Sequence, residues 1–440
     1  MIEGGLQSRI DQMRTRLADA TLANHYGHVH QVCGLVIEAI GPNLAIGDMC
    51  EIETRDDGAV LAEVVGFRDN KMLLMPLGDL NQIAPGSRVS AANHQLALPC
   101  PEAAVGRIID AMGNPIDGKG PLTTAAGSSI HRNPPSPLER MPISESFTTG
   151  VRAIDLFVPV GRGQRLGIFA GSGVGKSTLL GMLVRGSESD VNVVALIGER
   201  GREVSEFVES ALGAEALQRS VVVVSTSDQP AMLRLRAAFL ATSLAESYRD
   251  AGHNVLFLMD SVTRFAMAQR EIGLSVMEPP ASRGYPPSVF SMLPRLLERT
   301  GNSANGTITA LYTVLVEGDD MNEPITDAVR GILDGHIVLS RKIATSNVFP
   351  AIDVLESISR LRTVISSAEE LEVVAKARQL LALYRDNEDL INIGAYAKQG
   401  NARIDEAINK RGRILDLIQQ GQFEQCDRAQ SYAKLKEVVA

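Results

Sequence analysis

The sequence predicts an α/β fold built on a parallel sheet, preceded by a small β-barrel and followed by a helical segment. Three observations carry this. Between about 145 and 345, six runs rich in Val, Ile and Leu alternate with helical patterns, and near-continuous apolar runs mark strands covered on both faces. From about 25 to 95, short apolar runs are separated by Gly-, Asp- and Pro-containing turns, the texture of a small barrel or sandwich. After about 365 the strand signals stop and helix-period patterns take over.

Size and composition bound the rest. The chain has 440 residues, 45% hydrophobic and 22% charged, enough for two or three domains with a sizeable core. A formal charge of −9 speaks against nucleic-acid binding by bulk electrostatics and suits plain solubility. Cys33, Cys50, Cys100 and Cys426 lie far apart without a C-x-x-C pair, which argues against zinc and a disulfide framework and suits a reducing compartment. The opening residues M-I-E-G-G-L-Q-S-R lack the apolar core of a signal peptide, and no apolar run nears the about 18 residues of a membrane span. The expectation is a cytoplasmic protein, peripheral at most to the inner face of the cell membrane.

Residues 1–24 are expected to form an amphipathic helix, because Ile2, Leu6, Ile10, Met13, Leu17 and Leu22 recur at helical spacing among polar residues. Such a helix packs on its own domain or serves a partner or membrane surface, and periodicity does not choose between them. The barrel domain, 25–95, draws on Gly34–Ile40, Met49–Ile52, Val60–Phe67, Lys71–Pro76 and Ser87–Ala91. Gly106–Leu122 is dense in turn formers and reads as a connector, after which Pro134, Pro135 and Pro137 restrict the chain. The α/β domain, 96–365, has candidate strands Leu166–Phe169, Val193–Ile197, Val221–Val224, Val255–Met259, Ile308–Val314 and His336–Leu339. A long helix from Pro230 to Asp250 ends at Gly252. In the tail, 366–440, Ser367 and Glu370 form a capping-box pattern ahead of Val373, Val374, Ala377, Leu380, Leu381 and Tyr384 on one face. A second helical run covers Ile404–Ile418 and stops at Gly421.

One stretch carries most of the chemistry. Ala170 to Ser177 reads A-G-S-G-V-G-K-S, after the apolar L-G-I-F and before a helical run that opens at Thr178. This strand–loop–helix context is what a phosphate-binding loop requires. Gly171, Gly173 and Gly175 let successive backbone N–H groups converge on phosphate oxygens, with Ser172 and Val174 between them. Lys176 supplies a point charge for the β- and γ-phosphates, and the Ser177 hydroxyl suits Mg²⁺. Ala170 replaces the first Gly of the strict pattern, a small departure at a strand end. The expected ligands are therefore ATP and Mg²⁺. V-L-F-L-M-D closes on Asp260, a carboxylate at a strand end that would complete the Mg²⁺ site. Val193–Ile197 leads into Gly198, Glu199 and Arg200, where Glu199 either polarises a water against the γ-phosphate or belongs to a solvated charged loop. His253 and His336 read as loop or core histidines, since no second ligand lies at metal spacing, and Met259, Met267, Met277 and Met292 as packing residues.

The order of these motifs resembles the rotary and hexameric ATPase superfamily that contains the α and β subunits of ATP synthase, and makes the fold a P-loop NTPase with a RecA-like sheet. P-A-I-D-V-L-E-S-I-S, Pro350–Ser359, resembles that superfamily's ten-residue signature. The resemblance implies that Glu199 is the general base, that Arg200 and Arg264 lie on the γ-phosphate side, and that Phe349 stacks on the adenine. It also makes Arg360 an arginine finger offered to a neighbouring subunit. G-R-G-Q-R-L-G-I-F-A-G-S-G-V-G-K-S, Gly284–Gly301, Val316–Ile325, Asp334–Arg341 and Leu390–Tyr396 are similar to the ATPases of type III protein export. Two branches share them, flagellar and injectisome, and F-A-G-S-G-V-G-K-S resembles the flagellar one more. Gly284–Gly301 by itself reads as a surface loop; the resemblance turns it toward a ring's central channel. The implied assembly is a homohexamer with a regulator protein on the N-terminal helix, a central stalk protein, export-gate components, and export substrates with their chaperones. Two other functions compete. A rotary proton-ATPase catalytic subunit should need a dissimilar partner, whereas loop, base and finger lie here on one chain. An RNA-translocating hexameric helicase should show aromatic stacking residues and a basic groove, yet only Tyr26 and Phe67 are aromatic before residue 100.

Overall fold

The computed structural model describes residues 25–56, 58–92, 98–125, 129–316, 318, 320–397 and 400–440. The expected helix over 1–24 lies outside these. The chain divides into two compact units, Met1–Gln95 and Leu96–Ala440.

The first unit is a closed barrel of six strands, β1 (Tyr26–Cys33), β2 (Val36–Ile40), β3 (Met49–Glu53), β4 (Ala59–Arg68), β5 (Lys71–Pro76) and β6 (Arg88–Ala91), in the order β1-β2-β5-β4-β3-β6. Its inward side chains, among them Val29, Ile37, Cys50, Ile52, Val64 and Leu74, form a core of their own. Closure leaves no unpaired strand edge.

In the second unit, β7 (Leu98–Pro99), β8 (Ile108–Asp110), β9 (Thr124–Ala125), β10 (Ser146–Phe147) and β11 (Val160–Gly161) precede the main strands. These are β12 (Arg165–Ala170), β13 (Val191–Glu199), β14 (Ser220–Thr226), β15 (Asn254–Asp260), β16 (Gly301–Asn302), β17 (Thr307–Leu315), β18 (Gly335–Leu339) and β19 (Ile358–Ser359). The nine-stranded sheet runs β19-β18-β12-β17-β15-β13-β14-β8, with β16 paired to β17. Six strands, β12, β13, β14, β15, β17 and β18, are parallel and nearly all buried, which explains their unbroken apolar runs. The stretch expected to be a mere connector departs from that reading. Its Ile108–Asp110 joins the sheet as the edge strand beside Val222–Val224, a three-residue strand too short for any period to show.

Helices cover the sheet: α1 (Lys176–Gly186), α2 (Ala231–Asp250), α3 (Val262–Ser275) and α4 (Pro287–Leu297). The last replaces the surface loop expected within Gly284–Gly301. Pro287 occupies its first turn, where a missing N–H costs nothing, and Val289, Leu293, Leu296 and Leu297 are buried although Pro294 sits inside. The tail forms α5 (Ala368–Asn392), α6 (Ala402–Ile418) and α7 (Arg428–Val439). The Ser367–Glu370 capping box is present in full. Val374, Ala377, Leu380 and Leu381 of α5 join one continuous core with β12, β13 and α1, so tail and sheet form a single packed body. Among the four methionines expected to pack, Met259 is buried, but Met277 is 73% exposed, because it sits in the loop after α3 at φ 65°. All four cysteines are free thiols. No helix among the described residues is long and apolar enough to cross a membrane.

Candidate nucleotide site

Parallel strands place their carboxyl ends along one edge, where ligands of α/β sheets bind. Ala170, Glu199, Asp260 and Leu315 end β12, β13, β15 and β17 on that edge. The loop from Ala170 turns directly into α1. Gly173 (φ 76°) and Gly175 (φ 87°) have left-handed backbones that residues with a Cβ seldom adopt. A Cβ built on Gly173 would meet nothing but its chain neighbours within 4 Å, so the loop there borders open space. Loop N–H groups at the amino end of a helix form the kind of turn that suits an anion.

Lys176 opens α1 and crosses to the carboxylates. Its Nζ lies 2.5 Å from Asp260 Oδ1 and 3.4 Å from Glu199 Oε1. Burial alone would favour the neutral amine, but the Asp260 and Glu199 charges outweigh it and raise the Lys176 pKa. Glu199 goes the other way from an ordinary carboxylate. Burial first, then the nearby Asp260 charge, push it up to about 7 against the pull of Lys176. Asp260 is oriented from the neighbouring strand by Thr313, whose Oγ1 donates to Oδ1 at 2.6 Å. Sequence reading missed Thr313, because a lone threonine in a buried apolar strand carries no signal.

The remaining candidates surround this centre. Ser177 and Thr178 are exposed on the first turn of α1 and face a small cavity with Arg185, Glu203 and Phe207. Arg264 lies against Gly198, where an added Cβ would come within 2.9 Å of its side chain. Its Nε is buried without a hydrogen-bond partner, beside Gly198 near the carboxyl edge of the sheet. Arg200 is exposed and reaches Glu203 at 3.4 Å. Phe349 is 40% exposed, with ring carbons 3.6 Å from where a Cβ on Gly175 would sit. Its carbonyl accepts the Gln420 backbone N–H at 2.9 Å. The buried Gln420 side chain also donates to Gly150 O at 2.8 Å and accepts from Arg152 N at 2.8 Å. Gln420 therefore ties the tail to the aromatic loop, a role invisible in a Q-Q-G-Q run.

Arg360 is the exception. It follows β19, which pairs with the start of β18, and its N–H donates to Asp334 O at 3.0 Å. Asp334 in turn pairs with Arg165, the first residue of β12, at 3.1 Å. Arg360 thus lies at the amino end of the strand whose carboxyl end carries the loop. Five residue steps, about 17 Å at about 3.3 Å each, separate the two ends.

Known proteins share this arrangement. The ATP synthase alpha/beta family matches in its beta-barrel domain over residues 29–93 and its nucleotide-binding domain over 150–359. The T3SS EscN ATPase C-terminal domain matches over 366–437. The flagellum-specific ATP synthase of Bacillus subtilis is 54% identical over 94% of this chain and 95% of its own. The chain belongs to the ATP synthase alpha/beta family. Within it this P-loop ATPase stands with the flagellum-specific and type III secretion members. The type 3 secretion system ATPase of Xanthomonas euvesicatoria is 47% identical over 93% of this chain and 92% of its own. The assembled ATPase EscN of enteropathogenic E. coli superposes with a TM-score of 0.90 at 44% identity, over 94% of this chain and all of the other. EscN is also known in complex with its central stalk EscO. The substrate of this ATPase is a nucleotide.

Proposed function

We propose that this ATPase hydrolyses Mg²⁺-ATP to power type III protein export, of the flagellar kind, as a homohexamer whose sites lie between neighbouring subunits. The placement of Arg360 at the far end of β12 from Lys176 carries the shared-site reading, since one subunit does not bring the two together. Two flagellar relatives, of Bacillus subtilis at 54% and Treponema pallidum at 49% identity, stand above the Xanthomonas secretion ATPase at 47%, and the Salmonella typhimurium flagellar protein stands level with it at 47%, so identity leans to the flagellar branch without separating the two. The same geometry serves an injectisome equally well.

The donor set suits Mg²⁺ held jointly with substrate. Among the described residues no cluster of three His, Cys, Asp or Glu forms a closed metal site, and Mg²⁺ in such enzymes takes one or two protein oxygens plus phosphates. Ser177 and Asp260 are those oxygens. When bound, the ion neutralises charge on the phosphate oxygens. Lys176, released from Asp260 by the incoming triphosphate, binds the β- and γ-phosphates alongside the loop N–H groups from Gly171 to Thr178. Thr313 fixes the Asp260 carboxylate that would hold the ion. Glu199, with Arg200 and Arg264 near it, orients the attacking water and accepts its proton at the carboxylate. Phe349 stacks on the base. Arg360 of the next subunit supplies the transition-state charge.

Glu199→Gln should keep nucleotide bound and slow turnover by about 10²–10⁴-fold. Parallel losses of binding and turnover would instead make Glu199 structural. A second readout follows from its pKa. A carboxyl raised from its unfolded value to about 7 destabilises the fold progressively as pH rises between those values, in full above about 7. Glu199→Gln should therefore raise the melting temperature of nucleotide-free protein at pH 8, with the gain fading toward pH 5.

The proposal extends to the implied partners: a regulator on the segment 1–24, a central stalk as EscN has, export-gate components, and substrates with chaperones, at the inner face of the membrane and without nucleic acid. Deleting residues 1–22 should leave ATPase activity per site intact while weakening association with the regulator or with acidic vesicles. Co-sedimentation measures this, and an early-melting truncation would assign the segment to the protein's own core.

A further inference from the structure

The turn that presents Arg360 is held from the tail. After Ile352 the chain makes one tight turn, in which Asp353 Oδ1 accepts from Leu355 N at 2.9 Å and Glu356 N at 3.1 Å. Ser357 Oγ donates to Asp353 O at 2.6 Å. Such a turn leaves a row of carbonyls without backbone partners. His336 Nε2 donates to Glu356 O at 3.0 Å. Arg378, halfway along α5, takes the others: Nη1 donates to Val354 O and, at 3.5 Å, to Ser357 O, while Nη2 donates to Leu355 O at 3.0 Å. Arg378 is half-buried, and burial together with the nearby Arg362 lowers its pKa, so desolvation is spent on these contacts. Three further ion pairs come from the same helix: Arg385 to Asp353 at 3.5 Å and to Glu356 at 3.1 Å, and Glu388 to Lys342 at 2.5 Å. Ile358–Ser359 then pairs with β18 and Arg360 follows.

We infer that Arg378 is a positioning residue for catalysis, clamping the 354–357 turn so that Arg360 projects at the angle a neighbouring site requires. This rests on the reading of Arg360 as a finger used between subunits. A guanidinium suits the task because its planar fork reaches several carbonyls at once, whereas an ammonium reaches one. A displacement of about 1 Å in a catalytic group costs about 10²-fold, which sets the scale.

The test uses full-length protein at concentrations where parent specific activity has levelled off, with radiolabelled ATP to follow slow rates. Arg378→Ala should lower kcat by about 10–10²-fold and leave KM for ATP and nucleotide binding as in the parent. Arg378→Lys should recover part of the loss. In an Arg360→Ala background, Arg378→Ala should cost nothing more, because the group it positions is gone. An unchanged kcat, a rise in KM with kcat intact, or a full multiplicative loss in the double variant would overturn the inference. If Arg378→Ala melts early, Arg378→Gln, which keeps the stem and one amide donor, is judged by the same criteria. Should Arg360→Ala alone turn over at the parent rate, the finger reading itself fails, whatever Arg378 does.

Discussion

In a phosphate-release assay on purified protein, Lys176→Ala is expected to show no turnover above background. Alanine cannot balance the β- and γ-phosphate charge, and no other cation among the described residues replaces it at 2.5 Å from Asp260. A second loss follows inside the empty site. Lys176 is the counter-charge of two largely buried carboxylates, and breaking a buried pair leaves the remaining charge poorly compensated, at about 3 kcal/mol. Glu199, already titrating at about 7, relieves part of that by taking up a proton. Lys176→Ala protein should therefore be less stable at pH 8 than the parent and recover toward pH 5. Measuring nucleotide binding and melting together separates lost chemistry from lost fold. Turnover near the parent level in a folded variant would remove Lys176 from the site.

Sequence made some of this architecture plain and hid the rest for physical reasons. The strand–loop–helix turn over Ala170–Lys176 was legible because left-handed backbone at Gly173 and Gly175 demands glycine, with an apolar run before it and a helical run after it. The six central strands were legible because burial on both faces makes them continuously apolar. Strand β1, Y-G-H-V-H-Q-V-C, alternates polar and apolar residues around histidines and gave no such run, and the edge strand at Ile108 is too short. Helix α4 was masked by Pro294, which reads as a breaker until its buried face is seen. Single polar residues that fix others, Thr313, Gln420 and Arg378, have partners far away in sequence, and no local pattern announces them. That Lys176 contacts Glu199 and Asp260 follows from strand ends meeting at one edge, which alternation of strands and helices foretells. The position of Arg360 at the other edge required the antiparallel pairing of β19 with β18, which nothing in the sequence declared.

That position makes Arg360→Ala the variant expected to separate binding from assembly-dependent catalysis. Arg360 is exposed, and its side chain makes one long hydrogen bond, Nη2 to Arg330 O at 3.4 Å, while the backbone bond to Asp334 O does not depend on the side chain. Losing the side chain should cost the fold little. Nucleotide should bind almost normally, since loop, Lys176 and Phe349 are untouched at the opposite end of β12. Turnover should fall by about 10³–10⁵-fold, the range for arginine fingers, and Arg360→Lys should rescue little because a point charge lacks the planar fork. Parent specific activity should rise with protein concentration as rings form. Mixing Arg360→Ala with Lys176→Ala subunits should then restore part of the activity, because some interfaces in a mixed ring place an intact loop opposite an intact finger. If activity is independent of concentration and mixing restores none, Arg360 acts within its own subunit or plays no part, and the shared-site reading falls with it.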